Sequence, residues 1–421
     1  MACLTLNRPS ISALTIGACL LAMGTPCLPA IAATLPDAAR PMSAGSNPDA
    51  EGIQFHCPEA QLRQLETGMR HYLHTLGIAP SLVATVHDER QKTLTYTLTT
   101  PLDDFNTLDF VARPALNLNE VRVSLPLKQN TTRAIPTVSQ KEIVLALMQH
   151  GRLTVFAGSA CHLAALTDHV GIRQNTVAWA EKLEFGWPDG GPARWNAKYW
   201  RNGTPRRGVP LHTAMADMFR NQSAYEVGCY TATKMVMIQG VLDYFSRVRP
   251  DRAKLKLIEA RLLTDGEPLV DVEPGRVWNF ESDFDAKELE RPGKLLSAQF
   301  GVMPRNFVPG DWAYIVNPDR SSASKIGYEG SNAIYLGRNK FEDFYNDNEH
   351  AYSYLQKLDE VYQWRNQVFS RRHDGDKIQP LTAQQIDRLG QPPQDGGIVL
   401  DWRVAHQFFG ASSPPQRLPG N

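Results

Sequence analysis

The sequence predicts an α/β fold of the α+β kind built round one buried helix, and three observations carry that expectation. From Gly228 to Phe245 the chain reads Gly-Cys-Tyr-Thr-Ala-Thr-Lys-Met-Val-Met-Ile-Gln-Gly-Val-Leu-Asp-Tyr-Phe, apolar on nearly every side and broken only by Lys234 and Gln239 before Asp243. A helix of that composition is buried. Downstream, the runs Gly310 to Pro318 and Asn332 to Gly337 read as extended segments joined by a polar loop, hence a hairpin. Upstream, Leu62, Leu65, Met69, Tyr72, Leu73 and Leu76 recur at helical spacing before two alternating runs, Leu82 to Val86 and Thr93 to Thr99, which together make a small α/β unit.

The 421 residues, 42% hydrophobic and 21% charged, suit a globular chain with room for two domains. Lys+Arg and Asp+Glu balance at 44 each, so no basic field collects nucleic acid, which is not an expected partner. Arg8, an apolar run from Ile11 to Met23 and the small-residue site Ala30-Ile31-Ala32-Ala33 read as a secretory signal over 1–32, cleaved near Ala32. No long apolar segment follows, so the expected mature protein is secreted or periplasmic and has no membrane span. Cys19 in Ile16-Gly17-Ala18-Cys19 stands where a lipoprotein would be modified, but the apolar run continues beyond it, and lipidation is the lesser alternative.

Export makes the cysteine count informative. Cys3, Cys19 and Cys27 leave with the signal, and Cys57, Cys161 and Cys229 remain. Three thiols in an oxidising compartment leave one over. The simplest partition pairs Cys57 with Cys161 and leaves Cys229 free, although spacing alone does not show whether two cysteines meet.

The Pro- and Ala-rich leader at 33–52 has no periodicity. An amino-terminal α/β domain is expected over 53–150, with extended segments between Phe105 and Leu127 and a capping box, Ser139-x-x-Glu142, opening a helix to about His150. His71 and His74 lie one turn apart in the first helix, but no further ligand has matching spacing, so they read as helix-face residues. A second domain is expected over 151–390, with a strand at Leu153 to Phe156, a helical stretch through Val177 to Leu183, and a Gly/Pro-rich loop crowded by Trp187, Trp195, Tyr199 and Trp200. Those aromatics are either a binding wall or the lid of a core. A short helix, Pro210 to Phe219, precedes the buried one, a basic loop, Arg247 to Lys256, follows it, and Tyr354 to Phe369 resumes helical spacing. Thr382-x-x-Gln385 caps a last helix, and 391–421 is an extension with a proline-rich tail.

Cys229 is the candidate nucleophile. The amino end of a helix carries unpaired N–H groups and about half a positive charge, which favours a thiolate in the first turn. Taken alone, a free cysteine is more often a small buried hydrophobe.

The ordered set of motifs shifts that balance. Tyr225 and Cys229 with Thr231-Ala232 and the apolar helix, the preceding Pro210, Ala214, Asp217 and Asn221, and Tyr199-Trp200-Arg201 are followed by Gly310-Asp311, Tyr314, Asn317-Pro318 and Gly330-x-Asn332-x-Ile334-x-Leu336-Gly337. In this order, over roughly residues 179–365, the chain resembles the bacterial protein-glutamine γ-glutamyltransferases of the spore-coat type. The resemblance implies a papain-like catalytic domain, a Cys-bearing helix packed on an antiparallel sheet that supplies a histidine and an acidic or polar residue. It places the nucleophile at Cys229 and the histidine at His350, although the segment between strand and histidine is longer here than the family pattern. Ser331 stands where the family carries its catalytic Glu, and Glu329, two residues earlier, is the expected replacement if the segment is extended.

The activity so implied is acyl transfer from a protein glutamine to a lysine amine, or to water, through a Cys229 thioester. Its partners are proteins or peptides carrying glutamine and lysine. Two alternatives stay open: a papain-like amidase or peptidase acting on peptide or cell-wall amides, and an inactive exported binding protein in which Ser331 records lost activity. No cofactor is expected, because the chain has neither a phosphate-cradling glycine loop nor a metal-ligand cluster.

Overall fold

The structure is a computed structural model and describes residues 51–128, 131–188, 191–263, 302–342, 351–391, 395–398 and 400–401. In order, β1 is Gly52–His56, α1 Glu59–Thr75, β2 Val83–Asp88, β3 Thr93–Leu98, β4 Val121–Pro126, β5 Thr132–Thr137, α2 Gln140–Leu147, β6 Leu153–Ala157 and α3 Leu163–Ala180. Then come β7 Trp200–Arg201, β8 Thr204–Pro205, α4 Leu211–Arg220, α5 Cys229–Asp243 and α6 Arg252–Leu262. The last part holds β9 Trp312–Val316, β10 Gly330–Gly337, β11 Lys340–Glu342, β12 Ala351–Tyr352, helices at Tyr354–Gln363 and Ala383–Leu389, and β13 Leu400–Asp401. The mixture of sheets and helices is the α/β class expected.

Two larger sheets organise these elements. The first has the order β2-β3-β1-β6, antiparallel except where β6 runs parallel to β1. The second, β12-β11-β10-β9-β13, is antiparallel throughout. Just beyond the ends of the paired strands β1 and β6, Cys57 and Cys161 form a disulfide with Cα atoms 5.8 Å apart, tying the end of β1 to the approach to α3. Cys229 is the cysteine outside a disulfide among the described residues.

The central helix is buried as its composition requires: every residue of α5 except Tyr230 is buried. One side lies on α3 at close range, since a Cβ added to Gly240 would stand 2.0 Å from Thr176 Oγ1. The far end is tied polar to polar. Asp243 accepts from Trp179 Nε1 at 2.9 Å and Asn175 Nδ2 at 3.1 Å, both on α3, and from Arg247. The other side of α5 meets the second sheet, the helix-on-antiparallel-sheet packing that the resemblance implies.

Three local expectations change. The basic run Arg247 to Lys256 is not simply a loop: α6 begins at Arg252, with Leu255, Ile258 and Leu262 buried along one face. Its basic residues obscured that spacing, and Arg249 and Lys254 pair with Asp168. Between Phe105 and Leu127 only β4 is a strand; Thr107–Ala112 and Pro114–Leu116 are 3-10 turns, opened by the Asn106 side chain and by Pro114. At α2 the Ser139 hydroxyl caps the Glu142 N–H, but the Glu142 carboxylate turns to the Arg338 N–H instead of back to Ser139, so half the box forms. The box at Thr382 and Gln385 is complete.

Candidate active site

Cys229 is the first residue of α5, and Gly228 before it is extended (φ −71°, ψ 166°) and leaves the helix end without a side-chain cap. The first-turn N–H groups point toward the side of the helix end where the sulfur lies. The preceding segment is held in place from both sides: Val227 N–H donates to Gly186 O, Arg194 N–H to Glu226 O, and Gly186 N–H to Tyr225 O. The Tyr225 hydroxyl donates to Asp217 Oδ2 at 2.6 Å, and Asn196 and Asn221 donate to the same carboxylate. Burial, then Asp217, push the Tyr225 phenol above its usual range and keep it a neutral donor.

Trp187 stands beside this turn, 3.9 Å from where a Gly228 side chain would begin. The loop between β9 and β10 closes down on the same indole: Gly327, at φ +88°, has room for no side chain, because a Cβ there would lie 2.5 Å from the ring. Of the four loop aromatics, Trp187 is thus a wall beside the cysteine, whereas Trp195 and Trp200 pack on each other at 5.2 Å and Trp195 on Tyr225 at 6.2 Å.

Strand alternation decides what the second sheet offers to the sulfur. Asn332 pairs with Tyr314, and Ile334 with Trp312, so these four share the face toward α5. The ring of Trp312 lies 5.5 Å from that of Tyr230, and the Asn332 amide nitrogen lies 3.4 Å from Cys229 Sγ. Which end of the amide faces the sulfur follows from its other partner. Trp312 Nε1–H only donates, and at 2.9 Å it requires the Asn332 oxygen, which turns the NH2 toward Cys229. The site therefore presents a buried cysteine, 7% exposed, with an amide donor locked opposite its sulfur.

Among the residues expected at the site, His350 lies outside the described residues. Glu329 precedes β10, is exposed, and accepts from the Gly327 N–H at 2.8 Å. In the extended register Glu329 and Ser331 fall on the face opposite Asn332. The Ser331 hydroxyl is buried there without a hydrogen-bond partner among the described residues. Asn332 is the site residue that sequence reasoning passed over. It lay inside the Gly-x-Asn motif, and the alternation of β10 was the signal that singles it out.

A family model described as protein-glutamine gamma-glutamyltransferase matches residues 123–366, more than half of the chain and all of the site just described. The chain belongs to the protein-glutamine gamma-glutamyltransferase family. Proteins of that name from Bacillus cereus and Bacillus anthracis are 26% identical to it over 148 residues, 34% of this chain and 42% of theirs. The chain thus spans about two fifths of the length of these curated relatives. A transglutaminase from Geobacillus stearothermophilus, solved without its C-terminal extension, aligns over 57% of this chain and 90% of its own at 16% identity, with a TM-score of 0.33. Within the transglutaminase family frame, Cys229 opens the buried helix and Asn332 reaches it from the strand.

Proposed function

We propose that the protein is an exported cysteine acyltransferase acting on glutamine side chains of proteins, and one observation carries the reading: a cysteine outside any disulfide, at the amino end of a buried helix that no side chain caps, faces a donor amide fixed by Trp312, inside the segment matched by the family. The Cys229 sulfur attacks the carboxamide carbon of the glutamine. The C–N bond breaks, nitrogen leaves as ammonia with a proton delivered by His350, and a thioester remains. A lysine amine then attacks the thioester, giving an isopeptide bond, or water does, giving glutamate; in either case the sulfur returns as leaving group.

As the tetrahedral intermediate forms, negative charge develops on the former amide oxygen. Asn332 Nδ2 and the first-turn N–H groups of α5 are the donors nearest that position, and preorganised donors of this kind contribute roughly 10²–10³ in rate. His350 is assigned by the resemblance; Glu329, the replacement expected for the family's catalytic Glu, falls on the strand face opposite Asn332 and takes no part in these steps. Export rests on the residue pattern over 1–32 and is supported by the Cys57–Cys161 disulfide, a bond that persists in oxidising compartments.

The test is intact-mass analysis of the full chain incubated with a glutamine-containing protein and an excess of a primary amine, beside Cys229→Ala. Amine incorporation that vanishes in the variant is the expected outcome. A gain of about one mass unit per site without amine means that water resolves the thioester. Cleavage of the substrate backbone would replace this reading with the amidase or peptidase one, and no mass change with either protein would leave a binding role.

A further inference from the structure

Apart from Asp243 at its far end, α5 carries one charged side chain, Lys234, and that side chain is fully buried. Asp243 is accounted for by Trp179, Asn175 and the Arg247 guanidinium. Lys234 is not accounted for by packing. Taking an ammonium out of water is costly, and a methionine would fill the place of its stem without the charge.

The neighbours of Lys234 lead back to the sulfur. Lys234 lies one turn beyond Tyr230, so the two side chains share a helix face, and the ammonium stands 4.1 Å from the centre of the Tyr230 ring. Tyr230 directly follows Cys229 and is the one residue of α5 left partly exposed. Its ring packs on that of Trp312, with 5.5 Å between centres and 53° between planes. The Trp312 Nε1–H donates to the Asn332 oxygen at 2.9 Å, and the Asn332 NH2 faces Cys229 Sγ at 3.4 Å. A half-exposed tyrosine at the end of a helix has room to swing toward water, whereas a desolvated cation over its face anchors it.

We propose that Lys234 and Tyr230 are positioning residues for Asn332: the cation holds the Tyr230 ring against the Trp312 indole, and the indole keeps the amide donor turned toward the sulfur. An indole free to rock lets the amide turn over, which would set its oxygen against the developing oxyanion. The effect on rate rests on the acyl transfer proposed for Cys229; the geometry is measured without turnover.

Hydrogen exchange of the indole N–H groups, followed by NMR on the full-length protein, tests this. The Trp312 signal is the one missing in Trp312→Phe. The Trp179 signal, identified in the same way with Trp179→Phe, reports on the far end of α5 through its 2.9 Å bond to Asp243. Lys234→Met, which keeps the stem and removes the charge, is expected to speed exchange at Trp312 about threefold, and Tyr230→Leu about tenfold, with Trp179 unchanged. Tyr230→Phe, which keeps the ring, holds Trp312 within about twofold of wild type. In amine-incorporation kinetics Lys234→Met and Tyr230→Leu lower kcat and leave KM unchanged. Exchange at Trp312 as slow in Lys234→Met as in wild type, equal acceleration of both indoles, or an unchanged kcat beside faster exchange at Trp312 overturns the proposal. Wild-type protein that transfers no acyl group would instead overturn the reaction assigned to Cys229, and the exchange rates would still decide the geometry.

Discussion

At the scale of single residues, the site depends on which atom of Asn332 faces the sulfur. Asn332→Asp removes the donor and places a carboxylate beside the thiolate, whereas Asn332→Ala only removes the donor. The alanine variant is expected to lose about 10²-fold in kcat and the aspartate variant more, with Trp312→Phe, which frees the amide to turn, losing about tenfold. Amine-incorporation kinetics check the order; an alanine variant as active as the wild type would remove Asn332 from the chemistry. Glu329, exposed and holding the Gly327 N–H, offers a contrasting test. From its place on the opposite strand face, Glu329→Gln should cost less than about threefold, a surface-sized effect. A loss as large as that of Asn332→Ala would instead assign the acidic role to Glu329.

At the scale of elements, the helix that carries Cys229 is positioned by contact with α3 on one side and β10 on the other. The approach to α3 is set by Gly240, where a methyl group would meet both the hydroxyl and the backbone of Thr176. Gly240→Ala should therefore destabilise by about 1–3 kcal/mol despite its better helix propensity, because overpacking outweighs the gain of at most about 1 kcal/mol. Urea denaturation of the variant decides it, and unchanged or increased stability would mean that the two helices can separate at no cost. The burial of α5 was legible in its composition, since no face of it was polar. The helix α6 was not, because its charged positions suggested a solvated segment while Leu255, Ile258 and Leu262 were spaced for burial.

At the scale of the whole molecule, the parts are joined by buried charges. Asp311, just before β9, accepts from Arg152 Nη1 at 2.5 Å and from Arg173 Nη1 at 2.8 Å, and all three side chains are buried. Burial by itself would raise the Asp311 pKa; the two guanidinium charges overcome it and hold the carboxyl below its usual value. For Arg173 burial prevails, lowering its pKa to about 10 against the pull of Asp311. Asp311→Asn leaves two buried guanidinium groups without their countercharge and should cost about 3–5 kcal/mol in denaturation free energy. Because the folded pKa is depressed, the stability that Asp311 contributes is present above its unfolded value and lost as pH falls through the folded one.

Glu142 acts with the opposite sign. Burial pushes its pKa up from 4.5 to about 7, against the Arg338 N–H bond and the Arg338 charge. The folded state holds the proton more tightly than the unfolded one, so stability falls as pH rises from 4.5 to about 7 and is level above that. Glu142→Gln keeps the acceptor for Arg338 but cannot ionise. Relative to wild type it should gain roughly 2–3 kcal/mol between pH 4.5 and pH 8, by chemical denaturation at each pH. A difference between the two proteins that does not change with pH would show that Glu142 ionises freely in the folded state.

The sequence by itself determined what local composition can carry. A run of apolar residues with no polar face must be buried whatever surrounds it, a glycine before a cysteine marks where that helix can begin, and an odd number of thiols leaves one over. The alternating runs before and after it were enough to expect the hairpin and the class of fold. Only the tertiary structure decided which side chain meets the sulfur, because that depends on strand register and on an indole N–H that leaves the Asn332 oxygen no other orientation. The same holds for Arg152 and Asp311, 159 residues apart. Their mutual need arises only once both are out of water, and no periodicity or composition along the chain encodes a countercharge at that distance.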